Sequence, residues 1–193
     1  MKDFQSEIIK QIKENISLNN MVIEKNIESI NVLANKIINA YKENKKVLWM
    51  GNGGSAADAQ HLSCELVGKF YKKRKALNSV AFTTNTSLLT SISNDYDYIN
   101  IFERQVEAHA EKGDILIGIS TSGKSKNIIK AFEKGLRIGT VNAAFVGNYI
   151  NDIKNLAGPI ISIPSNDTPR IQESHIMVGH IICYLVENEF FGD

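Results

Sequence analysis

The chain has 193 residues, of which 43% are hydrophobic and 22% are charged, and its formal net charge is +1. This length and composition are typical of one globular domain with a sizeable core, and they exclude disorder on a large scale. A nearly neutral chain has no strong field to hold nucleic acid or an anionic membrane, so we expect neither partner and only a small, locally bound anionic ligand.

Residues 1–45 predict additional N-terminal helices, because apolar residues recur at helical spacing and no proline occurs before Pro159. The segment Ser17–Asn20 is expected to separate two of these helices. The first helix has only a narrow apolar stripe, which is typical of a helix that packs on a neighbouring subunit. Because this end of the chain is charged throughout, we expect neither a signal peptide nor a membrane anchor.

Beyond residue 45, short apolar runs alternate with helical segments. The runs predict strands at 47–50, 79–82, 115–119, 143–146 and 160–163. The segments between and after them predict helices at 56–70, 87–94, 99–110, 127–138 and 169–190. Each strand is continuously apolar, as in a parallel sheet that is covered on both faces. We therefore predict one α/β domain over residues 1–193, a three-layer αβα fold with a five-stranded parallel sheet.

The two cysteines, Cys64 and Cys183, are expected to be reduced thiols in the core rather than a disulfide or a metal site. No stretch approaches the roughly 18 apolar residues that a membrane span needs. The predicted compartment is the cytoplasm.

Ligands of parallel α/β folds bind beyond the carboxyl ends of the strands. One such loop, from Gly118 to Ser125, matches the nucleotide-binding P-loop pattern G-x-x-x-x-G-K-[ST]. Two observations argue against a nucleotide. Gly118 lies between two isoleucines and so belongs to the strand, and no other strand ends directly in the aspartate that a P-loop protein uses to help hold magnesium.

A single phosphate fits this loop better. Its four hydroxyls precede a helix, where backbone N–H groups and the helix dipole favour an anion: Ser120, Thr121, Ser122 and Ser125. The alternative for Ser125 is that it only caps the helix. The glycine-rich loop Gly51–Ser55 would let backbone amides approach a ligand, although a tight turn alone would also use glycine.

Acid–base and metal candidates lie on two helices. His61 and Glu65 are four residues apart and share a face, with Asp58 one turn earlier. On the last helix, Gln172 is in the first turn and His180 lies two turns later. Both histidines would fit as buried core groups, and His61, Glu65, Gln172 and His180 would also fit a zinc site, although glutamine is an uncommon zinc ligand.

Taken together, these blocks resemble the phosphoheptose isomerases, a family of SIS-domain proteins. The matching segments run from about residue 5 to 191 and keep their order and spacing: GNGGSAADAQH at 51–61, Glu65, SNDY at 93–96, STSGKS at 120–125, RIQESH at 170–175 and His180. The resemblance implies an SIS fold, a homotetramer with active sites at subunit interfaces, and interconversion of sedoheptulose 7-phosphate with D-glycero-D-manno-heptose 7-phosphate. That reaction is the first step of bacterial ADP- or GDP-heptose synthesis for lipopolysaccharide or capsule.

The resemblance also implies residue roles. The expected substrate contacts are Asn52, Gly53, Gly54, Ser55, Glu65, Asn94, Asp95 and Gln172, with the phosphate on Ser120, Thr121, Ser122 and Ser125. One zinc ion per subunit would use His61, Glu65, Gln172 and His180.

Ketose–aldose isomerisation moves a proton between neighbouring carbons through an enediol(ate), so it needs two acid–base groups. We assign Glu65 as the base and His180 as the acid, as a hypothesis. Zinc could polarise the substrate oxygens, but a ligand role would compromise Glu65 as a free base, so a structural zinc stays open as well.

One segment departs from the family. Where relatives usually carry Thr–Gly and a glycine-rich turn, this chain has VGNYI at 146–150, which leaves the contacts of that turn open. A different SIS branch is also similar around Ser55 and His61 but binds the replication initiator as a catalytically silent regulator. That branch lacks counterparts of Glu65 and His180, so their presence here favours the enzyme.

Overall fold

The computed structural model describes residues 3–192. The strands in this range are Val47–Gly51 (β1), Ser79–Ala81 (β2), Ile115–Ser120 (β3), Val141–Val146 (β4) and Ile160–Ser162 (β5). The α-helices are Gln5–Lys42 (α1), Gly54–Val67 (α2), Thr86–Asp95 (α3), Ile101–His109 (α4), Lys126–Ile138 (α5) and Thr168–Phe191 (α6), with a short 3₁₀ helix at Tyr98–Asn100.

The five strands form one parallel sheet in the order β2-β1-β3-β4-β5. Helices cover both faces, with α1, α2 and α6 packed in one apolar cluster and α3, α4 and α5 in the other. The predicted αβα fold with a five-stranded parallel sheet is confirmed.

α1 is one continuous helix of 38 residues, so the prediction of a break at Ser17–Asn20 is wrong. Asparagine and serine cost only some tenths of a kcal/mol in a helix interior. Leu18 and Val22 are buried in the same cluster as α6, and that packing outweighs the weak local preference.

Gly118 belongs to β3, as predicted, and it pairs with Met50 and Ala144 in the middle of the sheet. A Cβ at this position would collide with Phe132 and Ile128 of α5. The glycine therefore lets α5 pack closely on the sheet rather than forming part of a nucleotide loop.

No helix within residues 3–192 has the length and apolar character needed to cross a lipid bilayer. Both cysteines are free thiols, as expected. Cys183 is buried, but Cys64 is exposed on α2, so its predicted place in the core is wrong.

Candidate active site

The glycine loop, residues 51–55, and the phosphate loop, residues 120–125, lie side by side at the carboxyl edge of the sheet. They follow β1 and β3, which are neighbours in register through Gly51 and Ile119. Gly53 precedes α2 with φ of 57°, a left-handed conformation that glycine adopts without steric cost. Ser55 is buried, whereas Gly53 and Gly54 are exposed.

Three hydroxyls of the phosphate loop converge at the start of α5. Ser120 Oγ lies 2.8 Å from Ser125 Oγ and 3.5 Å from Ser122 Oγ. Ser125 is the N-cap residue, but within the described chain its hydroxyl makes no capping bond, so it does not simply cap the helix. Hydroxyls and unpaired N–H groups at a helix N-terminus can bind one phosphate.

The turn 146–150 packs directly against the phosphate loop. The Gly147 N–H donates to the Thr121 carbonyl over 3.1 Å. Gly123 has φ of 65° and lies directly against the Tyr149 carbonyl, where no Cβ would fit. The Lys124 ammonium lies 4.3 Å from the centre of the Tyr149 ring, which holds the lysine of the P-loop-like pattern on this aromatic ring. The turn in which this sequence departs from the family pattern therefore contacts residues 121–124 directly.

His61, Glu65 and His180 meet where α2 packs on α6. His61 Nε2 lies 2.8 Å from His180 Nε2 and 3.3 Å from Glu65 Oε1, and the three candidate ligand atoms all lie within 4.8 Å of one another. The side chain of His61 is 51% exposed and that of Glu65 21%. We call this group the His–Glu cluster.

Burial lowers the pKa of His180, and the nearby His61 lowers it further, while the Glu65 carboxylate opposes the shift. Two imidazole nitrogens in direct contact share one proton, since one must donate and the other accept. The cluster is therefore set up for proton exchange or for a cation that replaces the shared proton.

The His–Glu cluster could hold a metal ion, and two of its distances can be compared with those of zinc ligands. Ligand atoms at about 2.1 Å from a tetrahedral zinc lie about 3.4 Å apart, which matches the His61–Glu65 distance and needs the two imidazoles to separate by about half an ångström.

Gln172 lies away from the His–Glu cluster in this chain. Its amide packs against Gly54 at the start of α2, so closely that no Cβ would fit there. Eight residues, about 12 Å of helix, separate it from His180. The structure of the single chain brings three of the four predicted ligands together and places the fourth beside the glycine loop.

Asp58 lies one turn before His61 on α2, as expected. Its Oδ2 is buried and has no hydrogen-bond partner among residues 3–192. Burial raises the pKa of this carboxyl to about 6, and the nearby His61 opposes the shift.

Asn94 and Asp95 are exposed at the end of α3, where Asn94 Nδ2 donates to Asp95 Oδ1 over 2.8 Å. Asn85, in the loop after β2, caps α3 by accepting from the Leu88 N–H. These segments surround the carboxyl edge but lie outside the His–Glu cluster.

Sequence reasoning missed two contacts of Asn52, the Tyr98 hydroxyl and the Asn127 amide. It also missed the buried His175 on α6. A polar residue in the first turn of α5 was the one available signal for Asn127, whereas nothing local indicated the other two.

Comparison with known proteins places these features in context. A family model described as SIS domain matches residues 11–147. The phosphoheptose isomerase of Clostridium acetobutylicum is 52% identical, and that of Sulfurimonas denitrificans 48%, each over 100% of this chain and 98% of the relative. Among solved structures, phosphoheptose isomerases from Neisseria gonorrhoeae (TM-score 0.90, 33% identity) and Francisella tularensis (0.92, 27%) are matched over 96% and 97% of this chain and 100% of theirs.

Proposed function

Because this chain belongs to the phosphoheptose isomerases, a family of SIS-domain proteins, we propose that it interconverts sedoheptulose 7-phosphate and D-glycero-D-manno-heptose 7-phosphate. The observation that carries the proposal is the convergence of a carboxylate from α2 and an imidazole from α6 in the His–Glu cluster. Isomerisation through an enediol(ate) needs such a pair.

We assign Glu65 as the base that removes the proton from the carbon beside the carbonyl, and His180 as the acid that protonates the carbonyl oxygen. In the second half of the reaction, Glu65 would return its proton to the neighbouring carbon while His180 takes the proton from the other oxygen, which gives the isomer. The phosphate would bind the hydroxyls of Ser120, Thr121, Ser122 and Ser125 together with the N–H groups at the start of α5. The sugar would contact Asn52, Gly53, Gly54, Ser55, Asn94 and Asp95.

We propose that one zinc ion per subunit would bind His61, Glu65 and His180 and leave an open position, as catalytic zinc sites do. With the ion bound, Glu65 would act as the base through its second oxygen, and His180 would not act as the acid. When bound, the ion would polarise the carbonyl and hydroxyl oxygens of the substrate. Gln172 would complete the ligand set only if its side chain left Gly54. We therefore propose that it contacts substrate at the glycine loop.

The spacing of the two halves of the site supports active sites between subunits, and we propose a homotetramer. Glu65 lies eleven residues beyond Gly54, about 16 Å along α2, which is longer than an extended heptose phosphate. The His–Glu cluster of one subunit would thus serve the phosphate loop of another.

An apolar surface is available for that assembly. A groove of about 390 Å³ between α1 and α6 is lined mainly by apolar side chains: Val22, Ile23, Ile27, Ile30, Met177, Ile181 and Leu185. We propose that a second subunit covers it.

Since sugar phosphates are intracellular metabolites, we propose that the enzyme acts in the cytoplasm. Its product would feed heptose synthesis for surface polysaccharide. The catalytically silent regulator is not favoured, because both Glu65 and His180 are present and close together.

The direct test is incubation with sedoheptulose 7-phosphate, followed by NMR of the product. We expect turnover in the wild type, a fall in kcat of about 10²–10⁴-fold in Glu65→Gln, and no change in Glu107→Gln, an exposed carboxylate on α4. Similar melting temperatures would show that all three proteins are folded. Full activity in Glu65→Gln would refute the role of the carboxylate, and a wild type without turnover would refute the function.

The metal is tested in the same assay. We expect a chelator to lower turnover and added zinc to restore it, because the ion would stabilise charge on the reacting oxygens. Turnover that is indifferent to the chelator, with zinc shown to be absent by elemental analysis, would remove the metal from the reaction.

A further inference from the structure

A side-chain network ties three separate segments together at the carboxyl edge of the sheet. Asn52 follows β1, Asn127 is the second residue of α5, and Tyr98 begins the 3₁₀ helix. The network therefore connects the glycine loop, the end of the phosphate loop and the segment that follows α3.

The amides of Asn52 and Asn127 form a reciprocal pair. Asn52 Nδ2 donates to Asn127 Oδ1 over 3.0 Å, and Asn127 Nδ2 donates to Asn52 Oδ1 over 2.8 Å. The backbone N–H of Ile128 also donates to Asn127 Oδ1, over 3.0 Å. Since that backbone donor requires an oxygen, it fixes the orientation of the Asn127 amide, and through the pair that of Asn52.

The Tyr98 hydroxyl completes the bonding of Asn52, because it donates to Asn52 Oδ1 over 2.8 Å. A side-chain amide has two acceptor lone pairs and two N–H donors. The contacts with Asn127 and Tyr98 use both lone pairs and one donor. Asn52 can therefore offer a ligand one N–H and no acceptor.

We infer that Tyr98 and Asn127 are positioning residues of the isomerase, which hold Asn52 and fix the spacing between the glycine loop and the phosphate loop. The substrate named in this inference rests on the proposed function, whereas the network itself does not. Asn127 is only 3% exposed, so water does not compete for its side of the amide pair. Because the network bonds to neither Glu65 nor His180, its loss should weaken substrate binding more than the chemical step.

The test is Tyr98→Phe, which removes one hydroxyl from a side chain that is half exposed. We expect KM for sedoheptulose 7-phosphate to rise roughly three- to tenfold, as for loss of one hydrogen bond, with kcat within about twofold of wild type. In an Asn52→Ala background, the same substitution should have no further effect.

Tyr41→Phe is the matched control. It removes a hydroxyl that donates to the Asn78 carbonyl at the opposite edge of the sheet, so it should lower the melting temperature without changing KM. An unchanged KM in Tyr98→Phe, or an equal rise in the Asn52→Ala background, would overturn the inference.

Amide hydrogen exchange of residues 53–55 gives a readout that needs no substrate. We expect this exchange to be at least about threefold faster in Tyr98→Phe than in wild type, because the loop loses a tether. Unchanged exchange would overturn the positioning role even if the wild type proved inactive, whereas inactivity alone would overturn only the proposed function.

Discussion

His175 shows what a single buried residue contributes. It lies in α6 with no exposed surface, packs its ring 5.7 Å from that of Phe145, and donates Nε2–H to the Val146 carbonyl over 3.1 Å. Because a carbonyl only accepts, Nε2 carries a proton, and Nδ1 has no partner in the described part of the chain that would stabilise a second one. Burial lowers the pKa to about 4, while the bond to Val146 opposes the shift. His175 thereby ties α6 to the turn that supports the phosphate loop.

The free energy of unfolding should therefore depend on pH through His175. The unfolded histidine, with a pKa of 6.5, binds a proton before the folded one does, so this contribution is fully present above pH 6.5 and is lost as the pH falls towards 4. The loss amounts to about 3 kcal/mol. Asp58, with its raised pKa, affects the free energy of unfolding in the opposite sense, between its ordinary pKa of 3.8 and about 6.

The contribution of His175 is therefore measured as the difference in the free energy of unfolding between the wild type and a variant that lacks this histidine. Urea unfolding of the wild type and His175→Gln at several pH values should show the gap between the two closing by about 3 kcal/mol from pH 7 to 4. A gap that does not change with pH would contradict a buried, neutral His175.

At the scale of elements, a buried ion pair holds the segment after α2 onto α6. Glu187 is 1% exposed and accepts from Arg74 Nε and from the backbone N–H groups of residues 70–72. Arg74 in turn donates to the carbonyls of Glu65 and Leu66 at the end of α2. The ion pair thus anchors the helix end that carries the proposed base.

Breaking this pair should be costly, because an amide at residue 187 would leave the buried Arg74 cation without its counter-charge and would turn its own N–H donors towards the N–H groups of residues 70–72. We expect Glu187→Gln to lower the free energy of unfolding by about 3–5 kcal/mol, measured by urea titration. Glu189→Gln, two residues away, breaks only the exposed pair with Lys42 and should cost less than about 1 kcal/mol. Equal losses of unfolding free energy in both variants would show that the buried pair does not stabilise the fold more than the exposed pair.

At the scale of the whole molecule, the chain exposes many apolar side chains along α1. Six isoleucines of α1 are 51–60% exposed: Ile8, Ile9, Ile12, Ile16, Ile23 and Ile27. Exposed apolar side chains in this number are typical of an interface, and we propose that they pack on a second copy of the chain. The same surface reaches α6, which carries His180.

Ile27→Glu should therefore weaken assembly and, because the proposed site lies between subunits, should also lower turnover. Sedimentation velocity and the isomerase assay on the same sample measure both effects. Leu136→Glu is the control, since Leu136 is 49% exposed on α5, away from the groove. A variant with the mass and turnover of the wild type would contradict the interface.

Local patterns in the sequence were sufficient for the fold and for part of the site. Continuous apolar runs located the five strands, and the position of each loop followed from the parallel order of the sheet. The proximity of His61 and Glu65 needed only the geometry of one helix, because residues four apart share a face.

Only the tertiary structure decided which distant residues meet: His180 with His61, Gln172 with Gly54, and Tyr98 and Asn127 with Asn52. Tertiary packing also decided that α1 is unbroken and that Cys64 is exposed, so neither could be predicted from the local sequence. Helical and strand periods are set by each residue's own backbone and neighbours, so they can be read locally. The partner across an interface is selected by many small packing terms summed over the whole core, and no local window contains that sum.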